Sequence, residues 1–231
     1  MFVRHIQHLL TDDIPAGETP ADTRARLAAR FPPAAARRMT QLGMLLGTIL
    51  DDLNPAPTDA IIYATQYGEG RALETFLDSF PAASPIGFQT SIHPSAVQQT
   101  MIRRARPAGE FFPMAGADYL PGQSLLAAML SPAPRVILCG GEERGTWLAP
   151  IDAASSRSFA YGMILTRDPP SAASAAGSIT LTPAPAGALA VKISHAAWFD
   201  ILHARKNFSG VIVPGWRAEI AFAAALRSDS T

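Results

Sequence analysis

The sequence has little of several features that would point to a particular environment or partner. Its single cysteine, Cys139, excludes an internal disulfide and fits a reducing compartment. Lys and Arg together number 19, as do Asp and Glu, so no net field favours nucleic acid or an anionic membrane. No uninterrupted apolar run reaches about 18 residues, and the run near Met1 is too short for a signal peptide. We therefore expect a soluble cytoplasmic protein.

Motifs that bind cofactors or metal ions are also lacking. The strand predicted at Ala60–Gln66 runs into YGEG, and this Gly-rich turn has neither GxGxxG nor a Gly-Lys-Ser/Thr ending. His5 and His8 lie on a predicted strand at a spacing that points their side chains to opposite faces. We predict no cofactor and no metal site.

The sequence does contain enough apolar material for a sizeable core, because 48% of its residues are hydrophobic and 16% are charged. Its central stretch predicts a strand at Glu110–Met114, a helix at about Gln123–Leu130 and a strand at Arg135–Cys139. The helix, QSLLAAML, has no charged residue, so we expect it to be buried on every side. Strands that flank such a helix indicate a layered α/β domain, and the length favours one domain.

Other elements are predicted on both sides of this stretch. Ala34–Leu53 carries apolar residues at spacings of three and four, which predicts the clearest helix of the chain. Arg37 and Arg38 stand at its start, where the helix dipole disfavours cations, so they either have another partner or form a solvated pair. Near the C-terminus, the pattern predicts a strand at Ala188–Ile193 and a helix at about Trp216–Arg227.

A series of stretches between residues 35 and 183 carries a family resemblance. They are RRMTQLGMLLGTILDDL, AIIYATQYGEG, FLDSFPAASPIGFQTSIHPSAVQQTMI, MAGADYLPGQSLLAAML, RVILCGGEE, FAYGMILTRDPP and GSITLTPA. In this order they resemble the N-terminal half of β-ketoacyl synthases, the thiolase-like condensing enzymes of fatty-acid and polyketide assembly. They most resemble the divergent group that includes chain-length-factor subunits.

The resemblance implies a fold as well as a family. We expect a thiolase-like layered α/β/α half-fold, in which a mixed sheet surrounds a buried central helix, with residues 1–231 as a single domain. Residues 184–231 are not matched to the family. We expect this C-terminal segment to cover the apolar surface where the missing half of a synthase would dock.

The departures from the family pattern bear on activity. An active synthase carries a nucleophilic cysteine at the turn before the central helix, and this sequence offers Gly116 or Pro121 there. Cys139 ends the following strand and is most simply a buried small hydrophobe. The family's two active-site histidines belong to a C-terminal half, and His195 and His203 do not lie in its glycine-rich histidine contexts. The resemblance therefore implies an incomplete condensing site.

Two other residues are weak catalytic candidates. Ser124 follows Gly122 as in a nucleophile elbow, but the GxSxG pattern lacks its second glycine and Ser124 would lie inside the helix. His93 precedes a predicted helix, where it would either contact a ligand or cap the helix. These residues keep open a small acyl hydrolase or acyltransferase with a different site.

The favoured hypothesis is a catalytically silent, synthase-like protein that acts through contact. In the family, the strand before the central helix lies at the dimer interface, so the resemblance implies that Phe111, Phe112 and Met114 become buried there. The partner would be an active synthase subunit or a second copy of this chain, with an acyl carrier protein as a further partner. The pathway would be of the fatty-acid or polyketide type, for example aryl-polyene synthesis. A homodimeric scaffold without ligand is the third hypothesis.

Overall fold

The sheet is built from strands that are distant in the sequence. The computed structural model describes residues 2–10, 20–105, 107–168 and 176–223. The strands in these ranges are β1 (Phe2–Leu10), β2 (Ala60–Thr65), β3 (Glu110–Ala115), β4 (Arg135–Glu142), β5 (Phe159–Thr166), β6 (Gly177–Pro183), β7 (Phe208–Val213) and β8 (Trp216–Phe222). They form one mixed sheet in the order β3-β2-β4-β5-β1-β6-β8-β7. The pairs β3/β2 and β2/β4 are parallel, and the others are antiparallel.

Helices cover both faces of this sheet. They are α1 (Pro20–Ala28), α2 (Pro33–Ala36), α3 (Gln41–Leu53), α4 (Gly70–Leu77), α5 (Pro85–Ser91), α6 (Ser95–Arg104), α7 (Leu120–Leu130) and α8 (His195–His203). Alternate residues of β2 enter two separate apolar clusters, with Ile62 on the side of α7 and α8 and Ile61 on the side of α3. Because both faces are covered, β2 and β4 are continuous apolar runs. The predicted layered α/β fold with a mixed sheet is confirmed.

The central helix α7 begins earlier than its sequence predicts. It starts at Leu120 rather than near Gln123, and Pro121 lies in its first turn, where the missing N–H of proline removes no helical hydrogen bond. The helix packs closely against β7: a Cβ atom added at Gly122 would lie 2.5 Å from the backbone oxygen of Ile212. The absence of a side chain at Gly122 therefore allows the two backbones to approach.

One side of α7 is not covered within the single chain. Leu125 is buried, but Leu126 and Met129 are only half-buried and Leu130 is 74% exposed. The prediction that this helix is buried on every side is therefore wrong for the free chain. The cause lies in the sheet order, because among the described strands the neighbouring β3 is an edge strand that pairs only with β2.

The C-terminal part differs from its prediction in two elements. Trp216–Phe222 is strand β8, not the start of a helix, because Ala218 and Ile220 face the core while Glu219 between them is exposed. The predicted helix continued to Arg227, and residues 224–227 lie outside the described residues. Ala188–Ile193 is not a strand: Val191 donates one hydrogen bond to the carbonyl of Val211, at 2.8 Å, without forming a ladder.

The C-terminal elements nevertheless cover the central helix. Side chains of α8, β7 and β8, among them Trp198, Ile212 and Ile220, belong to the same apolar cluster as Leu125 of α7. That this segment takes the place of the missing half of a synthase stays a prediction. Within the described ranges, no helix has the length and apolar character needed to cross a membrane.

Candidate functional site

The uncovered side of α7 continues onto the edge strand β3. Met114 packs at the margin of the α7 cluster together with Leu126 and Met129. Phe112 lies on the same side of the sheet as Met114, because residues two apart on a strand share a face, and it is 42% exposed. We call the surface formed by Phe112, Met114, Leu126, Met129 and Leu130 the β3–α7 face. It joins an open strand edge to exposed apolar side chains.

The interface residue Phe111 lies on the other side of β3. It is half-buried and packs at the margin of the cluster that contains α3. The three residues that the sequence assigns to the interface therefore lie on both faces of one edge strand. A partner that paired with this edge would contact Phe112 and Met114 from one side and Phe111 from the other.

The turn before α7 carries no nucleophile. The residue directly before the helix is Tyr119, which has a left-handed backbone (φ 58°) that non-glycine residues seldom adopt. Gly116 is exposed on the loop, where an added Cβ atom would have no contact within 4 Å, whereas Pro121 is buried in the first turn. The sequence resemblance places the family's nucleophile position at Gly116 or Pro121, and this assignment stays a prediction. The sequence pattern does not single out Tyr119 because it predicts the helix start near Gln123.

The hydroxyl and thiol that the sequence singles out are both inaccessible. Ser124 is fully buried inside α7, and its hydroxyl donates a hydrogen bond of 2.9 Å to the carbonyl of Pro121. Cys139 is fully buried in β4, as the sequence predicts, and burial raises its pKa to about 12. At neutral pH such a thiol is not a nucleophile, because the thiolate is the reactive form.

His93 pairs with a buried carboxylate. Its Nδ1 lies 3.2 Å from Oε2 of Glu69, and its ring stacks on Tyr63 with 5.1 Å between centroids. The other oxygen of Glu69 accepts the backbone N–H of Ala96 at 3.1 Å, in the first turn of α6. Among the described residues, Nε2 of His93 has no hydrogen-bond partner. The geometry combines helix capping by Glu69 with a positioned imidazole.

A second carboxylate–histidine pair lies deep in the molecule. Nδ1 of His195, at the start of α8, is 2.5 Å from Oε1 of Glu142, the last residue of β4. Nε2 of His195 is 3.0 Å from the hydroxyl of Tyr161 on β5. Thr65 donates to Glu142 at 3.1 Å, and Gln66 accepts the backbone N–H of His195 at 3.3 Å. The group therefore joins β2, β4, β5 and α8.

This buried group has the parts of an acid–base relay but no access for a substrate. His195 is 1% exposed and Glu142 is 2% exposed. Burial raises the pKa of Tyr161 well above its ordinary value, so its hydroxyl stays protonated. The arrangement holds the N-terminus of α8 to the ends of the sheet strands. No local pattern in the sequence indicates that Glu142 and His195 meet.

Comparisons with known proteins identify the fold. No protein-family model matches the chain, and no curated protein matches it in sequence. Its structure is similar to a chain of the ketosynthase (ApeO) in complex with its chain length factor (ApeC) from Xenorhabdus doucetiae. The TM-score is 0.63 at 18% identity, over 95% of this chain and 98% of that one. The chain has a thiolase-like fold of the ketosynthase and chain-length-factor type.

A second similarity supports this thiolase-like fold. The ishigamide ketosynthase/chain length factor is similar with a TM-score of 0.52 and 14% identity, over 68% of this chain and 52% of that chain. The sequence resemblance to synthase-like proteins is thus confirmed at the level of the fold. At these identities the comparisons assign no site residue, so the function is argued from the geometry above.

Proposed function

We propose that the protein is a catalytically silent, β-ketoacyl synthase-like subunit that acts by binding an active synthase. Its pathway would be fatty-acid or polyketide-type biosynthesis in the cytoplasm, for example aryl-polyene assembly. The observation that carries the proposal is the β3–α7 face, an open strand edge beside exposed apolar side chains in a thiolase-like fold. The two similar structures are named as ketosynthase and chain length factor proteins, which fits a role as partner.

The physical case for a partner rests on what this edge leaves unpaired. An edge strand presents free backbone donors and acceptors, and proteins usually cover or charge such edges. Here the edge carries Phe112 and Met114, and the adjoining helix exposes Leu130. Pro113 cannot donate a ladder hydrogen bond, so packing of the apolar side chains would contribute most of the binding energy. An acyl carrier protein would be a further partner of the assembled pair.

The case for catalytic silence rests on the missing nucleophile. Tyr119 stands before the central helix, Ser124 is bonded inside it, and the Cys139 thiol has a pKa of about 12. His195 is held by Glu142 and Tyr161 in a closed interior. No group in the described part of the chain combines a reactive side chain with an open position beside the central helix.

The proposal is tested with acyl-carrier thioesters and the β-ketoacyl synthase encoded nearest to the gene for this chain. The purified protein alone should release no product and form no covalent acyl adduct, as measured by mass spectrometry. Mixed with the synthase, it should alter the amount or the chain length of the condensed product. Turnover or acylation by the protein alone would instead favour a small acyl hydrolase or acyltransferase. A stable homodimer with no effect on any synthase would favour a scaffold.

A further inference from the structure

A cleft of about 780 Å³ lies away from the β3–α7 face and plays no part in the proposal above. Its walls come from α1, the connection between α2 and α3, α4, α5 and the connection from β4 to β5. Five arginines line it, Arg24, Arg37, Arg38, Arg71 and Arg144, whereas the acidic lining residue among the described ones is Glu143. The chain as a whole is neutral, so this cleft concentrates positive charge.

The guanidinium groups of two of these arginines have no hydrogen-bond or ion-pair partner among the described residues. Arg37 and Arg38 are exposed, and the guanidinium group of neither forms a hydrogen bond or ion pair with a described residue, although their backbone N–H groups bond to the carbonyls of Pro33 and Ala35. Arg37 caps the end of α2, and Met39 and Thr40 separate Arg38 from α3, whose N-terminus carries the positive end of the helix dipole. The first-turn N–H of Gly43 already bonds to the hydroxyl of Thr40, at 2.9 Å. The N-terminus of α3 is therefore capped by Thr40. The guanidinium groups of Arg37 and Arg38 remain without an anionic partner among the described residues.

Two other arginines of the cleft, Arg24 and Arg71, are held by hydrogen bonds and an ion pair. The guanidinium of Arg24 donates to the carbonyl of Met39 at 3.1 Å. Arg71 pairs with Glu74 at 2.9 Å and reaches the hydroxyl of Thr146 at 3.2 Å. Such contacts fix two guanidinium groups at the cleft before any ligand arrives. A fixed guanidinium loses less conformational freedom on binding, and its planar fork suits phosphate oxygens.

Glu74 offsets the charge of Arg71 with which it pairs, and the acidic residue in the lining itself, Glu143, weakens the remaining positive field less than an exposed carboxylate would. Oε2 of Glu143 accepts the backbone N–H of Leu42 at 2.9 Å, so that oxygen points at α3. Burial raises the pKa of Glu143 above its ordinary value, which favours its neutral form. The side chains of Met39, Ala72 and Ile86 add apolar surface to the lining. The cleft thus combines fixed cations with a surface suited to an organic group.

We propose that this cleft binds a phosphate-bearing organic molecule of about nucleotide size. The phosphate groups would lie against Arg37 and Arg38, with Arg24 and Arg71 as fixed flanking cations. The organic part would lie against Met39, Ala72 and Ile86. The volume falls within the range of about 300–1,000 Å³ that is common for small-molecule sites.

Titration calorimetry of the full chain at low ionic strength tests this site, with ADP, pyrophosphate and inorganic phosphate as probes. ADP should bind, and pyrophosphate should bind more weakly because it lacks the organic part. Arg37→Glu/Arg38→Glu should weaken ADP binding at least about tenfold, since the charge-assisted hydrogen bonds to the phosphate groups would be replaced by repulsion. Added salt should weaken binding by the wild type.

The matched control is Arg205→Glu/Lys206→Glu, which makes the same charge change on an exposed segment after α8. This control should bind ADP like the wild type, and far-ultraviolet circular dichroism should show both double variants folded. Arg37→Lys/Arg38→Lys keeps the charge but removes the planar forks, so it should show intermediate affinity. No ADP or pyrophosphate binding by the wild type would overturn the proposal, as would equal losses in both charge-reversed variants. Neither result would count against the proposal that a partner binds through the β3–α7 face.

Discussion

Oε1 of Glu142 lies 2.5 Å from Nδ1 of His195, and the two residues come from the end of a central strand and the start of a C-terminal helix. This contact ties the C-terminal elements to the sheet. His195→Ala should lower the free energy of unfolding by about 3–5 kcal/mol, because it removes the buried imidazole that links Glu142 to Tyr161 and takes one partner from each. Urea denaturation measures the loss.

Two variants separate this effect from a simple loss of packing. His203→Ala, at the exposed end of the same helix, should change stability far less. Glu142→Gln/His195→Ala should lose less than the sum of the two single variants, because each single variant already disrupts the same contact. A His195→Ala protein as stable as the wild type would contradict a structural role for the pair.

Gly122→Ala should destabilise the protein, although alanine is normally the better helix former by about 1 kcal/mol. The added methyl group would meet the backbone oxygen of Ile212 and push β7 away from α7. Gln123→Ala, at the next and exposed helix position, should change stability by less than about 0.5 kcal/mol. Thermal unfolding of both variants checks this, and a Gly122→Ala protein that melts above the wild type would argue against the close contact.

Glu74 and Glu143 should respond to pH in opposite directions. Burial alone would raise the pKa of Glu74, but hydrogen bonds from the backbone of Leu148 and Thr146 and from Arg71 outweigh it and lower this pKa. Burial raises the pKa of Glu143. A lowered pKa gives stability that is present at neutral pH and lost as the pH falls through the folded-state value, and a raised pKa does the reverse.

The neutral variants Glu74→Gln and Glu143→Gln test this contrast. Glu74→Gln should lower the free energy of unfolding at pH 7, with the difference from wild type shrinking as the pH falls below about 4.5. Glu143→Gln should be at least as stable as wild type at pH 7, and that advantage should also disappear in acid. Urea unfolding across a pH series measures both, and differences of the same sign at pH 7 would refute the assignment.

Cys139 should be inert in the native protein. Its thiol is fully buried with a pKa of about 12, so a thiol-modifying reagent should label it only after denaturation. Cys139→Ala should keep any partner binding. Rapid labelling of the folded protein, with unfolding excluded by circular dichroism, would show that the thiol is accessible and reopen a nucleophilic role.

The sequence predicts the central elements well because each is defined by a local pattern. The all-apolar strand predicted at Ala60–Gln66 is observed at Ala60–Thr65. The striped helix predicted at Ala34–Leu53 is observed as α3, and the first part of this prediction is wrong because the helix is interrupted between the end of α2 and Thr40, the N-cap of α3. The sequence predicts a helix at Trp216–Phe222 because the apolar pattern of this short segment fits a helix as well as a strand. Its pairing with β6 and β7 makes it a strand. Short segments of this kind take their structure from their neighbours.

The site was less predictable for two physical reasons. Glu142 and His195 are brought together by packing of the C-terminal helix, and no local pattern encodes a contact between such distant residues. The exposure of Leu130 follows from the position of β3 at the sheet edge, which depends on strand order rather than on helix composition. The apolar sequence of α7 therefore predicts that the helix is covered. It does not show whether the covering side chains belong to this chain or to a partner.

The central claim is that the β3–α7 face binds a synthase subunit, and Phe112→Asp tests it most directly. The charge would be placed on the open strand edge, where pairing would otherwise bury the aromatic ring. Leu189→Asp is the matched control, because Leu189 is 90% exposed on a loop remote in sequence from this face. Both variants should fold like the wild type.

Sedimentation velocity at micromolar concentration, with and without the β-ketoacyl synthase encoded nearest to the gene for this chain, is the decisive measurement. The wild type and Leu189→Asp should form a complex with the synthase, and Phe112→Asp should sediment as a free chain. A wild type that sediments as one chain at every concentration and binds no synthase would contradict the account, as would a Phe112→Asp variant that pairs as tightly as the wild type.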